Sequence, residues 1–259
     1  TETSYTFTGL TDETQYEIKV EAYDKANNKG IDTENVSTVK APTAEETLKE
    51  GDYVYYIDAK GKRRKCVVLY DSGSEYGIEL ITMETVEDVI LGDSSFTRSM
   101  DSYNNTISIL NSKSSAYNNS IYSSYARSVG TNPNNPNKDE ADMYRTPFDS
   151  DYDKELKDSD TNYQIDWNQM KALSIESINE GYWLASRQVT SNSDESIFNV
   201  RNVLDDGGLY LDGICFLYSD NTAGSHSCEI GLRPIFHLKS GIKVIGGKGT
   251  SSSPYTLGI

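Results

Sequence analysis

The residues with the most chemistry to offer lie between two apolar strings, Gly181-Tyr-Trp-Leu-Ala-Ser-Arg187 and Gly231-Leu-Arg-Pro-Ile-Phe236. Each string couples large apolar side chains to one arginine. The stretch between them is rich in Ser, Asn, Asp, Gly and Tyr. These are the residues of adaptable recognition surfaces, so the pattern reads as a rigid frame carrying a wettable binding face rather than as an active site. Asp149-Ser-Asp151-Tyr-Asp153, with Asp160 at the twelfth position, follows the start of a calcium loop. Lys154 stands where the sharp turn needs glycine, and the last ligand is Asp rather than a bidentate Glu. An acidic, solvated loop is the plainer reading, and no cofactor other than calcium is expected. His226-Ser-Cys228 offers two zinc ligands but no second pair at matching spacing. No Gly-x-Ser-x-Gly elbow, phosphate loop or His-Glu-x-x-His occurs. Two carboxylates suffice for a polysaccharide hydrolase, and the acid content permits that rival, but no spacing selects a pair. A structural spacer with no ligand is the other rival.

Composition narrows the partners. The 259-residue chain carries 40 acidic and 24 basic side chains, a net charge of −16. Such a field repels phosphate backbones and anionic membranes. Nucleic acid and membrane insertion are therefore not expected. Tyr supplies 19 residues against 6 Phe and 2 Trp, an excess of rings with an apolar body and a polar tip. The three cysteines, Cys66, Cys215 and Cys228, form no Cys-x-x-Cys pair. A bridge between Cys215 and Cys228 requires neighbouring strands; three separate buried thiols is the preferred reading. No apolar run reaches the length of a membrane span.

The elements that must position these residues are read from periodicity. Ser4–Leu10 and Gln15–Tyr23 alternate apolar and polar, with Tyr16, Ile18, Val20 and Ala22 on one face, and a third candidate strand runs from Asn35 to Lys40. A charged linker leads to strands over 52–58, 64–70, 76–83 and 86–91, the first two joined by the turn Asp58-Ala-Lys-Gly61. The spacing of Tyr103, Ile107, Leu110, Tyr117 and Ile121 predicts one helix from Ser102 to Tyr125, held by burial because its polar side is Asn and Ser. A loop over 129–142 and an acidic stretch precede a second helix, Trp167 to Asn179, with Asp166 as N-cap. Strands follow over 182–187, 196–203, 209–218, 233–238 and 242–244.

Two resemblances organise these elements. Gly9-Leu10, Thr14, Tyr16, Val20, Ala22 and the Asp24–Asn28 turn resemble the C-terminal half of a fibronectin type III domain, in which Tyr16 would bond back to nearby backbone. Only the last three of about seven strands are present, so the chain reads as part of a longer protein; an independent hairpin is the alternative. The helix before Gly181–Arg187, the strand Phe198-Asn-Val-Arg201 and the closing Gly231–Phe236 resemble a bacterial C-type-lectin-like family, related to formylglycine-generating-enzyme-like domains and to the variable proteins of diversity-generating retroelements. The tail, Gly247-x-Gly-Thr-x-x-x-Pro-Tyr-x-Leu257, resembles a closing turn of bacterial surface proteins. The fold class implied is α+β: a truncated β-sandwich piece (1–43), a linker (44–50) and a mixed domain (51–259) with two helices and a twisted antiparallel sheet. The ligand set implied is Tyr182, Arg187, Asn192, Asn199, Arg201, Asp205, Asp206, Tyr210, Asp212, Tyr218, Asp220, Asn221 and His226. The sulfatase-activating relatives use a reactive cysteine pair, which Cys215 and Cys228 do not match. The expected role is non-catalytic adhesion to a glycan or protein on a host or neighbouring cell, by a pilin-like or adhesin-like protein of the bacterial surface.

Overall fold

The computed structural model describes residues 4–7, 9–133, 162–191, 193–220 and 222–259. The chain opens with β1 (Gln15–Tyr23) and β2 (Lys29–Ser37), an antiparallel hairpin that forms a two-stranded sheet. Asp24 builds its turn by accepting the N–H groups of Ala26 and Asn28, each at 2.8 Å. The Tyr16 hydroxyl accepts the Thr11 N–H at 2.8 Å. The described residues of the expected strand Ser4–Leu10 pair with nothing as strand. Two strands cannot cover an apolar face, and Val20 and Ile31 stay more than half exposed.

The remaining elements build two larger sheets. In chain order they are α1 (Ala44–Thr47), β3 (Tyr53–Ile57), β4 (Arg63–Tyr70), β5 (Glu79–Thr82), β6 (Asp88–Gly92), α2 (Phe96–Asn104), α3 (Thr106–Ser115), β7 (Ser123–Ser128), α4 (Asn162–Ala172), β8 (Tyr182–Ser191), β9 (Glu195–Val203), β10 (Leu209–Tyr218), β11 (Ala223–Ser225), β12 (Ser227–Gly231), β13 (Pro234–Leu238), β14 (Lys243–Gly246) and β15 (Tyr255–Gly258). One sheet has the order β14-β15-β3-β4-β5-β13-β7, the other β11-β10-β9-β8-β12-β6. Each contains one parallel pair, β15 with β3 and β12 with β8.

This corrects the α+β expectation. The described chain is mostly β, with strands far outnumbering the four helices, and two mixed sheets stand where one antiparallel sheet with two helices was expected. The helix expected over 102–125 is two helices broken at Asn105, whose side chain donates to the Asp101 carbonyl at 2.8 Å. Its last part is strand β7. Asn and Ser side chains compete for the backbone bonds a helix needs, and sheet pairing with β13 takes the segment after Tyr117. Ile121, expected on the buried stripe, is 55% exposed. The second helix sits earlier than expected and ends at Ala172; Asp166 lies inside it, buried, rather than at its cap.

Three apolar clusters hold the sheets together. Tyr56 stacks on Phe236 with ring centroids 4.0 Å apart, on one face of the seven-stranded sheet. The opposite face, with Val67, Leu69, Ile81 and Ile235, packs on Met170 of α4 and on Tyr182, Leu184 and Val203 of the second sheet. The far face of that second sheet, with Trp183, Ala185, Phe198 and Val200, packs under Tyr103, Ile107 and Leu110 of α2 and α3. β8 is therefore buried on both faces, which is why Tyr182-Trp-Leu-Ala185 shows no alternation. All three cysteines are free thiols, two buried and Cys228 half-buried.

Candidate functional site

The two string arginines are structural. Arg187 is fully buried, donates to the Tyr103 and Asn104 carbonyls at 3.1 and 2.8 Å, and stacks near the Tyr103 ring. Arg233 donates to the carbonyls of Thr82 at 2.6 Å and Ile175 at 2.7 Å, and to the Tyr182 hydroxyl at 3.3 Å. Tyr182 is itself fully buried and donates to the Glu176 carbonyl at 2.6 Å. Arg201 bonds Ser186, Gln188 and the Arg187 carbonyl beneath the Tyr163 ring, and Asn199 is buried in β9. These four of the expected ligand residues (Tyr182, Arg187, Asn199 and Arg201) are interior, because β8 and β9 are inner strands of the six-stranded sheet, β8 between β9 and β12 and β9 between β8 and β10.

The other expected residues reach the surface without converging. Tyr210 and Tyr218 are exposed near opposite ends of β10, eight residues and about 27 Å apart at strand rise. Asp206 and Asp220 each accept the N–H two residues on, from Gly208 at 2.8 Å and Thr222 at 2.9 Å, so they shape turns. His226 is exposed and stacks on Phe216. Asp212 is half-buried; burial raises its carboxyl above the usual range, partly opposed by the donating Asn202 amide. Asn192, Asn221 and the calcium-loop residues Asp149, Asp151 and Asp153 lie outside the described residues. Among the described residues no group of three His, Cys, Asp or Glu is placed to hold a metal ion. Burial pushes the Cys228 thiol up to about 11 and that of Cys215 to about 12, so neither offers a thiolate near neutral pH.

One expected residue, Asp205, opens onto a groove of about 610 Å³. Gly181, between α4 and β8, and Gly231, at the end of β12, form its waist, joined by the bond from the Gly231 N–H to the Gly181 carbonyl at 3.1 Å. A Cβ at Gly231 would collide with Thr85 and with that carbonyl. Antiparallel pairing of β12 with β6 sets Asp88 opposite Gly231. Asp88, Glu180, Asp205 and Glu229 bring four carboxylates to the rim. Glu180 is committed: the Thr85 hydroxyl and N–H both donate to it and hold it below the usual carboxylate range.

At the wall stands Asn202, 1% exposed. Its amide donates to Asp212, while its carbonyl oxygen has no partner. An unmade bond at a buried acceptor costs about 1–3 kcal/mol. Asn202, Asp88, Glu180, Glu229 and Thr85 escape sequence reasoning because they are far apart in the chain.

A second charged constellation lies in the interior. Arg127 meets Glu79 at 2.5 Å and Asp166 at 2.7 Å, all three fully buried. It also donates to the Thr131 carbonyl at 3.1 Å, while Asp166 accepts from Tyr70 at 3.0 Å and from the Gly130 N–H at 2.8 Å. Burial pushes Glu79 up, but Arg127 and His237 outweigh it and hold its carboxyl below the usual range.

No family model, curated protein or solved structure matches the chain. No described helix is long and apolar enough to cross a membrane.

Proposed function

We propose that this chain is a non-catalytic recognition module of an extracellular bacterial surface protein, and that it binds a glycan or protein ligand through the groove between β6, β12 and the ends of β8 and β9. The observation that carries the reading is an open groove of about 610 Å³ whose lining brings together four carboxylates, Asp88, Glu180, Asp205 and Glu229. The carboxylates accept hydrogen bonds, so the fitting ligand presents donors: sugar hydroxyls and amines, or lysine and arginine side chains. Asp205, on the turn after β9, supplies one of these charges.

The rival hydrolase needs one carboxyl held protonated at the cleft. Glu180 is held in the opposite direction, and Asp212, whose burial acts in the required direction, is engaged by Asn202 and does not line the groove. The test is glycan and protein array screening of the wild-type chain beside Asp205→Asn/Glu229→Gln. A hit that the double variant loses at unchanged melting temperature supports the reading. Silence of a well-folded protein at millimolar ligand identifies a spacer instead.

A further inference from the structure

The strongest departure from the chain's acidity is on the other sheet. Five of the six residues Lys60–Lys65 are basic, in a chain of net charge −16. Arg64 is spent internally: it is buried against Asp58 at 2.8 Å and Glu84 at 3.1 Å. Lys62 meets Glu84 at 3.3 Å. Arg63 and Lys65 meet no carboxylate among the described residues. Instead the Arg63 guanidinium lies 4.3 Å over the Tyr55 ring, and the Lys65 ammonium lies 5.0 Å over Tyr53 and donates to Ser251 at 2.7 Å. The register pairs Tyr55 with Lys65 and Ile57 with Arg63, so ring, aliphatic and cationic side chains share one face of the β3–β4 hairpin. Tyr55, Lys62, Arg63, Lys65, Met83 and Glu84 line an open hollow of about 380 Å³, three cations against one carboxylate that already meets Lys62 and Arg64. The Arg63 and Lys65 side chains leave β4 about 7 Å apart, at two residues of strand rise.

We infer that this face is a second binding site and takes an acidic polysaccharide. A ring under a guanidinium pre-orients the fork while leaving its donors for an oxyanion. A sugar acid offers what the face asks for, an apolar C–H surface for Tyr55 and Met83 and an anion for Arg63 and Lys65. Both strands are paired on both sides, β3 by β15 and β4, β4 by β3 and β5. An acidic peptide therefore finds no free edge on which to add as a strand. The surrounding negative field repels a stiff nucleic acid, whereas a flexible glycan can touch the basic face alone.

Affinity electrophoresis of the full chain through gels containing polygalacturonate, dextran sulfate, neutral dextran or poly-L-glutamate tests the inference, at about 0.15 M salt, where distant charges are screened. The expected result is retardation by polygalacturonate, by dextran sulfate or by both, which distinguishes carboxylate from sulfate recognition. Arg63→Gln/Lys65→Gln should weaken it by about tenfold or more, and neutral dextran should not retard the protein. Asp205→Asn/Glu229→Gln should bind the acidic polymers as the wild type does, which keeps this site separate from the groove. If the double variant melts early, Lys62→Gln/Arg63→Gln, at the exposed end, carries the same test. Absence of retardation by both acidic polysaccharides, equal retardation of the variants, or equal retardation by poly-L-glutamate would overturn the inference.

Discussion

The Arg127 cluster and the groove at Asn202 use the same kinds of side chain to opposite ends. In the cluster every charge is answered: Glu79, Asp166, Tyr70, Thr131 and Gly130 close the hydrogen-bond set around one guanidinium. In the groove the carboxylates face solvent, and one buried carbonyl is left unanswered. A satisfied buried network fixes geometry; carboxylates left at an open surface are free to meet a partner. Here the cluster ties α4 to the seven-stranded sheet, and the helix is followed directly by the segment that supplies Glu180 and Gly181. The interior network therefore positions one wall of the groove.

The sharpest way to break this contrast is Arg127→Met. It leaves two buried carboxylates uncompensated, and unfolding free energy should fall by about 3–5 kcal/mol, measured by urea denaturation. A fall under about 1 kcal/mol would mean the cluster is wet and loosely held. Trp183→Ala should cost about 3–5 kcal/mol as well, since the ring is fully buried and donates to the Val89 carbonyl at 2.9 Å. An unchanged melt would contradict its place between the two faces.

Acid separates the regions further. Glu79 is held below its unfolded range, so its contribution to stability is complete above the unfolded carboxylate value, about 4.3. It is lost as pH falls through the lower folded value. Melting temperature should therefore drop on the acid side, and Glu79→Gln should start lower and show less of that drop. At the groove, Asp205→Asn and Glu229→Gln should change stability by less than about 0.5 kcal/mol while removing ligand binding. A large loss of melting temperature there would make these residues framework.

Much of the strand pattern was legible. Alternation located β1, β3 and β4 closely, and a strand was expected from Tyr182; that it is buried on both faces, Tyr182 included, came from the structure. The helix from Ser102 was misread because a three-to-four-residue spacing in Tyr103, Ile107, Leu110 and Tyr117 continues in register past the point where the backbone changes partner. All four are buried, yet only three are helical. The ligand face was misplaced for a related reason: polar residues in a central strand look like display from sequence, but Asn199 and Arg201 spend their donors inside.

The chain's own residue order determined its charge, its turns and the positions able to lie in a sheet, since each depends on neighbours a few residues away. Only the tertiary structure decided which polar groups are answered and which are left open. Asn202 finds its one partner ten residues away on β10, and the carboxylates beside it arrive from β6, β12 and the approach to β8. Hydrogen-bond satisfaction is a property of three-dimensional neighbourhoods, and strand pairing across more than a hundred residues sets those.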